Sequence, residues 1–382
     1  MKAKNVTSRN NGIALASVMC AMIIMLLLGW GVLSLGLQGQ LFAIQTTSQI
    51  SARSAADAGL SKALFEMNQR LGRFSFDASV LPQATDEKLP YCDAAYSYSV
   101  TGDEDAGFRI ESVGTSRNAQ KKVAAELRLQ GLFDYGLLVV ESAILYSGTF
   151  VDRYNSGDPS ETGIPVQVAS INPNPKSIIL KPGVVIDGEL LFGVDYDFPE
   201  VSSPPLPDMH TDISAKGATL TFGPEHSGQY TGITLSNGGA PTVLEIDGGD
   251  VQLYISGDVW MGQGCELRIK PGSSLAIFLD GNWISGNSDG INNETQIPAN
   301  FKLYGTSQDQ TLELKAKQDW YGCIYAPDAE LSIKANSNLL GSLVAKTFDN
   351  KAKGRIRYDG ALSKVKADEI GVHFIVERWY EE

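Results

Sequence analysis

The sequence predicts a mainly β protein carried on one long N-terminal helix. We expect a transmembrane and amphipathic helix first, a small α+β head next, and then a right-handed parallel β-helix-like solenoid. Three observations predict this fold class. An apolar stretch continues into an amphipathic helical pattern, a hairpin pattern follows it, and the rest of the 382 residues repeats short β-rich segments between turn residues.

The apolar stretch runs from Ile13 to Leu37, and no charged side chain occurs from Asn10 to Ala52. A helix rises about 1.5 Å per residue, so this one is long enough to cross the ~30 Å core of a bilayer. Positive charge precedes the stretch, at Lys2, Lys4 and Arg9. Because basic flanks stay in the cytoplasm, we expect a single-pass membrane protein whose N-terminus is cytoplasmic and whose C-terminal part lies outside.

A secretory signal peptide is the alternative for this stretch, because it also combines a basic start with an apolar core. The stretch is longer than the usual ~7–15 residues of such a core, and no Ala-x-Ala site follows it. We therefore expect a leader of residues 1–12 and a helical stem of residues 13–73. Small and apolar residues recur three and four positions apart in this stem, which indicates one face of a helix: Ala52, Ala56, Leu60, Ala63, Leu64, Met67 and Leu71.

The head is expected at residues 74–133. Residues 74–90 lose the helical period and contain two prolines, which is typical of a linker. Two alternating segments, 94–101 and 108–113, flank a Gly-Asp-Glu-Asp turn, and a third follows at 122–129. This pattern predicts three antiparallel strands at the end of the helix.

The solenoid is expected at residues 134–365. Strand-like segments recur every seven to nine residues from Val251 to Asn282, with no helical pattern between them. A sandwich or barrel also has such spacing, but residues 322–327 recur as 341–346, and this self-similarity favours a solenoid. Inward side chains should then stack from coil to coil: Leu253, Ile255, Leu267, Ile269, Leu275, Ile277, Leu331 and Ile333.

Two further segments depart from the β-rich pattern. Residues 195–209 contain four prolines and are expected to form an extended crossing or a surface linker. Residues 366–382 carry Phe374, Trp379 and Tyr380. We expect them to form a C-terminal cap on the last coil, because an open strand edge pairs readily with other chains.

Composition limits the partners and the cysteine chemistry. A net charge of -13 argues against nucleic acid as a partner, and 43% hydrophobic residues are enough to bury a core. Cys20 lies in the apolar stretch, which leaves Cys92, Cys265 and Cys323 outside it. At most one internal disulfide is then possible. Our candidate is Cys265–Cys323, and separate buried thiols are the alternative.

No motif predicts an enzyme, a cofactor or a metal site. Residues 286–290 have the Gly-x-Ser-x-Gly pattern of a nucleophile elbow, but the polar residues 291–301 follow where the elbow requires a helix. The three histidines are scattered, without metal-binding spacing. Carboxylates at predicted corners suit Ca²⁺ or acid–base work on a polysaccharide, but we interpret them as solvated turn residues: Asp247, Asp250, Asp258 and Asp280.

Two motifs carry a resemblance to a known family. Gly12-Ile13-Ala14-Leu15 opens the apolar stretch, and Ala55-Ala56-Asp57-Ala58-Gly59-Leu60 follows further along. Residues 9–70 thereby resemble the N-terminal region of PilX-type minor pilins of type IV pili, which commonly have Ala-Ala-Glu-Ala-Gly-Leu at this distance. The resemblance implies cleavage by a prepilin peptidase between Gly12 and Ile13. Major pilins have a Glu where this chain has Ser17. Many PilX-like proteins also lack that Glu.

Four short segments of the β-rich part carry a second resemblance: residues 146–148, 154–156, 325–327 and 358–362. With these segments, the β-rich part resembles an uncharacterised solenoid-like domain found behind PilX-like N-termini in bacterial envelope proteins. Together the resemblances imply a pilin-like envelope protein, either a minor pilin or a pilus-assembly or adhesion component. It would lie in the cell inner membrane, with its C-terminal domain periplasmic or extracellular. Its partners would be the membrane, other pilin-like subunits and pilus or type II secretion-like assembly machinery. The alternative is a membrane-tethered carbohydrate-active or carbohydrate-binding β-helix protein with surface glycans as partners.

Overall fold

A computed structural model describes residues 11–71, 76–77, 79–103, 107–161, 164–286, 290–335, 338–351, 354–367 and 369–382, with the backbone alone at 11–14 and 335. Residues 1–10 of the expected leader lie outside the described residues. The protein is mainly β with one long N-terminal helix, α1 (Asn11–Leu71), which confirms the coarse fold class. Two compact units are formed: the first contains residues up to Arg128 together with Phe374–Glu382, and the second is Leu129–His373.

The strands follow α1 in chain order. They are β1 (Gln83–Lys88), β2 (Ala94–Asp103), β3 (Gly107–Ser116), β4 (Ala119–Gln130), β5 (Leu137–Leu145), β6 (Phe150–Tyr154), β7 (Val166–Ser170), β8 (Ile178–Leu180), β9 (Val185–Ile186), β10 (Gly188–Phe192), β11 (Ile213–Lys216), β12 (Thr219–Phe222), β13 (Gly228–Tyr230), β14 (Ile233–Ser236), β15 (Thr242–Ile246), β16 (Asp250–Ile255), β17 (Val259–Met261), β18 (Cys265–Ile269), β19 (Ser274–Leu279), β20 (Trp283–Ser285), β21 (Gly290–Asn293), β22 (Phe301–Gly305), β23 (Thr311–Ala316), β24 (Trp320–Ala335), β25 (Leu339–Asn350), β26 (Arg355–Asp359) and β27 (His373–Glu381). Short 3₁₀ helices lie at Pro175–Ser177, Pro224–His226, Pro298–Asn300 and Gly360–Ser363.

The first unit packs α1 on a five-stranded sheet of order β1-β2-β3-β4-β27. Strands β1 to β4 are successively antiparallel, and β2, β3 and β4 contain the three segments predicted for the head. Two expectations are corrected here. Strand β1 forms within the expected linker. The sequence did not predict it, because its residues are polar and mostly exposed and show no apolar alternation. Within residues 366–382, which were expected to cap the last coil, residues 373–381 instead form β27, beside β4.

The second unit is built on a 22-stranded sheet whose short strands form three parallel stacks. Between β11 and β22, each strand pairs in parallel with the strand three further along the chain. The predicted self-similar segments also pair in register, from Gly322 with Gly341 to Ala326 with Ala345. Parallel pairing of successive turns of the chain therefore explains the repeat in the sequence.

Each stack takes one strand from each turn of the chain. The first contains β11, β14, β17, β20, β23, the last parts of β24, β25 and β5, and β8. The second contains β12, β15, β18 and β21, and further along the first residues of β24 and β25, with β26, β6 and β9. The third contains β13, β16, β19, β22, the middle of β24 and β25, the start of β5, β7 and β10.

The order of strands in the stacks differs from their order in the chain. The chain enters in the middle, at β5, and builds outward to β8, β9 and β10 at one end. Residues 193–209 then lead to β11 at the opposite end, and successive turns return until β25 and β26 pair with β5 and β6. Prolines keep residues 195–209 extended, and the Tyr325 hydroxyl of the third stack donates to Pro199 O at 2.8 Å. The segment is thus a crossing.

The core of the second unit lies between the three stacks. All eight side chains predicted to face inward are buried, with at most 1% exposure. Outward-facing aromatic rings of the third stack are buried as well, because other parts of the chain cover them. Phe133 lies 6.4 Å from Tyr304, which stacks on Phe278 at 4.9 Å.

Candidate membrane anchor and helix–sheet contact

The N-terminal part of α1 exposes a long apolar surface. Met25 and Leu26 are each 73% exposed and Trp30 is 77% exposed. Within the part of the chain that the structure describes, α1 is the one helix long and apolar enough to cross a membrane, judged by length and composition. Large exposed apolar surfaces are rare in soluble monomers and mark contacts with lipid or protein. This part of α1 is therefore the candidate membrane anchor.

The segment from Ala55 to Leu60 lies where α1 packs on β2 and β3. Ala52, Ala55 and Ala56 are fully buried. A Cβ atom added at Gly114 in β3 would lie 1.9 Å from the Ala52 carbonyl oxygen, and one added at Gly59 would lie 2.4 Å from Ser112 Oγ. The two backbones therefore approach too closely for larger side chains. This contact is the physical reason for the small residues of the Ala-Ala-Asp-Ala-Gly-Leu segment.

Polar side chains join α1 to the first two strands just beyond this contact. Lys62 Nζ lies 3.1 Å from Glu87 Oε2, and the Tyr96 hydroxyl donates to the same oxygen at 2.7 Å. The hydrogen bonds from Tyr96 and then Lys62 hold the pKa of Glu87 below its usual value. Burial, followed by a hydrogen bond with Glu66, raises the pKa of Tyr98. These groups orient the helix on the sheet.

The C-terminal strand β27 closes the same unit, which sequence reasoning missed. The Asn68 amide donates to Phe374 O at 3.1 Å, and Phe374 N donates back to Asn68 Oδ1 at 2.6 Å. The Phe374 ring lies 5.1 Å from Phe108 and 5.5 Å from Phe76. The available signal was the alternation from His373 to Glu381, which is weak because its outward positions include Ile375.

Lysine and arginine side chains hold Glu381, the last residue of β27, and Glu382, which follows it. Lys121 Nζ lies 2.7 Å from Glu381 Oε1, and Arg53 also pairs with Glu381. Lys122 Nζ lies 2.6 Å from Glu382 Oε2, which helps to hold the pKa of Glu382 below its usual value. The C-terminus is therefore tied to both α1 and β4.

The predicted cleavage site lies at the start of α1. Gly12 and Ile13 belong to the helix, but the structure describes their backbone alone. Cleavage between them stays a prediction. Residues 287–289 of the Gly-x-Ser-x-Gly pattern lie outside the described residues.

The candidate disulfide Cys265–Cys323 is absent, and this expectation is corrected. Both side chains are buried thiols. Cys265 lies in β18, which pairs with β15 and β21, whereas Cys323 lies in β24, which pairs with β22, β23 and β25. Cys323 pairs in register with Lys302 of β22, which faces outward, so Cys323 also faces outward. Cys265 lies two residues before the inward-facing Leu267 of β18, so Cys265 faces inward. The strands thus place the thiols apart, on opposite sides of their sheets.

Three of the four predicted corner carboxylates bind a neighbouring turn of the chain. Asp250 Oδ1 accepts from Ser274 Oγ at 2.6 Å, and Asp258 Oδ1 accepts from Asn282 N at 2.7 Å. Asp280 accepts from the hydroxyl of Tyr254, which raises the pKa of Tyr254 to about 12. Among the described residues, no group of three or more His, Cys, Asp or Glu side chains is arranged to hold a metal ion.

An open polar cleft of about 640 Å³ lies beside the second stack. The cleft lies where the parallel pairing of the second stack is interrupted after β21. There Gly290 of β21 forms an antiparallel bridge with Ala316 of β23. Amide and charged groups of such a cleft can donate and accept several hydrogen bonds at once. Its lining residues are Asn292, Asn293, Glu294, Gln296, Lys317, Gln318, Asp319 and Tyr321.

Comparisons with known proteins match parts of this chain. Residues 208–365, less than half of the chain, match the model of a family described as Domain of unknown function (DUF7305). Among solved structures, the crystal structure of the competence-associated pilin ComZ from Thermus thermophilus is similar, with 14% sequence identity and a TM-score of 0.24. That comparison covers 88% of this chain and 98% of the other chain. No curated protein matches.

Proposed function

We propose that this chain is a membrane-anchored, pilin-like envelope protein without enzymatic activity. The observation that carries the proposal is α1. It is one unbroken helix whose N-terminal part exposes apolar side chains and whose segment from Ala55 to Leu60 packs on a sheet. Such a helix anchors the chain in lipid and fixes a folded unit at its far end. Lys2, Lys4 and Arg9 put the N-terminus in the cytoplasm and the folded units outside it.

The specific role is that of a minor pilin or a component of pilus assembly or adhesion. Other pilin-like subunits and a pilus or type II secretion-like assembly system are its partners. Residues 134–365 then form a right-handed parallel β-helix-like solenoid that is displayed outside the cytoplasm. Three parallel stacks and their fully buried inward rows support the solenoid.

N-terminal sequencing tests the pilin-like role. The full chain is expressed in the inner membrane of cells with and without a prepilin peptidase. We expect the mature chain to begin at Ile13 only when the peptidase is present, because the enzyme would cut after Gly12. An N-terminus at Met1 in both strains would reduce the protein to a plain membrane anchor. Recovery of the whole chain in the soluble fraction would exclude the anchor as well.

The polar cleft supports a second candidate function, carbohydrate binding. Vicinal sugar hydroxyls accept from amides and donate to carboxylates, and Tyr321 adds an aromatic face. Glycan-array binding by the full chain tests this function. Binding that is lost in Gln318→Ala and kept in Gln252→Ala, which alters a polar residue outside the cleft, would support it. Equal glycan binding by the wild type, Gln318→Ala and Gln252→Ala would exclude the cleft as the binding site.

A further inference from the structure

One end of the stacks, formed by β8, β9 and β10, leaves its apolar interior open. In the described part of the chain, these strands pair on one side only, with β5, β6 and β7. Leu180 and Leu190 continue the inward rows of Leu145 and Val168, which are fully buried. Leu180 is nevertheless 40% exposed and Leu190 is 36% exposed, because no further turn among the residues that the structure describes covers them. The same end also exposes Ile179 and Val185.

The opposite end, formed by β11, β12 and β13, is closed. Ile213 is 2% exposed and Tyr230 is 6% exposed, although both lie in terminal strands. The ring of His226 stacks on Phe222 at 4.6 Å. The backbone of residues 207–209 pairs with Gln229 and so extends the third stack past β13. The exposure at β8–β10 is thus a property of that end alone.

The open end also carries no net charge. Residues 171–194 contain four charged side chains, Lys176, Lys181, Asp187 and Glu189, whose charges sum to zero. The whole chain carries a net charge of -13. Within the described part of the chain, none of these four side chains forms an ion pair. Two copies can therefore approach each other here without the repulsion that the rest of the surface would impose.

We propose that β8–β10 is a docking surface for a second copy of this chain in a closed, two-fold dimer. A two-fold axis brings the same surface of both copies together, so each copy offers two lysines to two acidic side chains. Terminal strands related in this way meet antiparallel, which satisfies their unpaired N–H and C=O groups. The closed β11–β13 end removes the alternative of head-to-tail stacking. The inference does not depend on the pilin-like role.

Sedimentation equilibrium of the full chain in detergent micelles tests the dimer. We expect the wild type to dimerise and Leu180→Glu to raise the dimer Kd by about thirtyfold or more, since it places a charge in the apolar centre of the interface. The matched control is Ile284→Glu in β20. Ile284 is 42% exposed, close to Leu180, but lies away from the open end. The control should dimerise like the wild type.

Charge reversal provides an independent test in case Leu180→Glu does not fold. Lys181→Glu or Glu189→Lys alone gives both copies an excess of one sign at the interface, so each should weaken the dimer severalfold at low salt. The double variant restores the balance and should restore the wild-type Kd. A wild type that stays monomeric overturns the proposal. It is equally overturned if Ile284→Glu weakens the dimer as much as Leu180→Glu, or if the charge variants leave Kd unchanged.

Discussion

Gly114 occupies the tightest point of the contact between α1 and β3. A Cβ atom there would lie 1.9 Å from the carbonyl oxygen of Ala52, a backbone atom that no rotamer change can move. We expect Gly114→Ala to lower the free energy of unfolding of the first unit by about 1–3 kcal/mol, because helix and sheet must separate. Chemical denaturation of the full chain in detergent, followed by near-ultraviolet circular dichroism, measures this change.

Gly39→Ala is the matched control, since a Cβ atom at this helical glycine meets nothing within 4 Å. It should not destabilise the protein, because Ala is the better helix former. Equal losses for both variants would contradict the close-contact explanation of the Ala-Ala-Asp-Ala-Gly-Leu segment.

Thiol reactivity distinguishes buried thiols from the disulfide expected between Cys265 and Cys323. Burial raises the pKa of Cys323 to about 12, so its reactive thiolate is scarce near pH 8. We expect iodoacetamide to label exposed Cys92 in the native protein and Cys323 more than about a hundredfold more slowly. Mass spectrometry of tryptic peptides gives both rates.

Unfolding the protein without reductant provides the second half of the thiol experiment. Cys265 and Cys323 should then both become alkylated, because each is a thiol in the native state. Recovery of a peptide pair joined through the two sulfurs would contradict the structure. The sequence could show that both cysteines lie in strand-like segments. It could not show the stack or the side of the sheet to which each belongs, since those depend on pairing between distant turns.

Among the elements, β27 closes the sheet of the first unit through one buried ring. Phe374 is 1% exposed and contacts Phe76 and Phe108. We expect Phe374→Ala to lower the free energy of unfolding by about 3–5 kcal/mol, because it leaves a cavity in this cluster. Denaturant titration of the full chain measures the loss.

Trp379→Ala is the control within the same strand. Trp379 is 44% exposed, and the guanidinium carbon of Arg53 lies 5.0 Å from the centre of its ring. Its loss should cost only about 0.5–1 kcal/mol. If both aromatic substitutions had the same small effect, β27 would not be part of the cooperative core.

The elements that the sequence predicted best are those with local patterns. The apolar stretch and the spacing of small residues predicted α1, and alternation predicted the strands from β2 to β4. β1 was missed because its polar residues have no apolar alternation, although it pairs with the next strand, β2. β27 was missed because its alternation is weak and because it lies beside β4, a strand distant in sequence. The self-similar segments 322–327 and 341–346 paired as expected, since they are consecutive turns of one ladder.

For the whole molecule, the order of the strands within the stacks is the feature that local patterns could not predict. A sequence repeat indicates that turns stack on one another, but it does not say where the first turn lies. Here the first strands of the second unit, β5 and β6, pair with its last strands, β25 and β26. Only the proline-rich crossing hints at this arrangement, because a long extended segment is needed to return along the stacks. Expected domain boundaries, such as 134–365, stay predictions.

This order predicts how the second unit responds to a cut in the crossing. A protease site introduced at the exposed Ser202 would divide the chain between β10 and β11. We expect the two pieces to stay together under native conditions, because seven residues of β25 and five of β26 still pair with β5 and β6. The experiment uses a chain that ends at His373, so that β27 cannot hold the pieces together. Co-elution in gel filtration with separation in denaturant is the expected result. Separation under native conditions would mean that the stack does not close between its first and last turns.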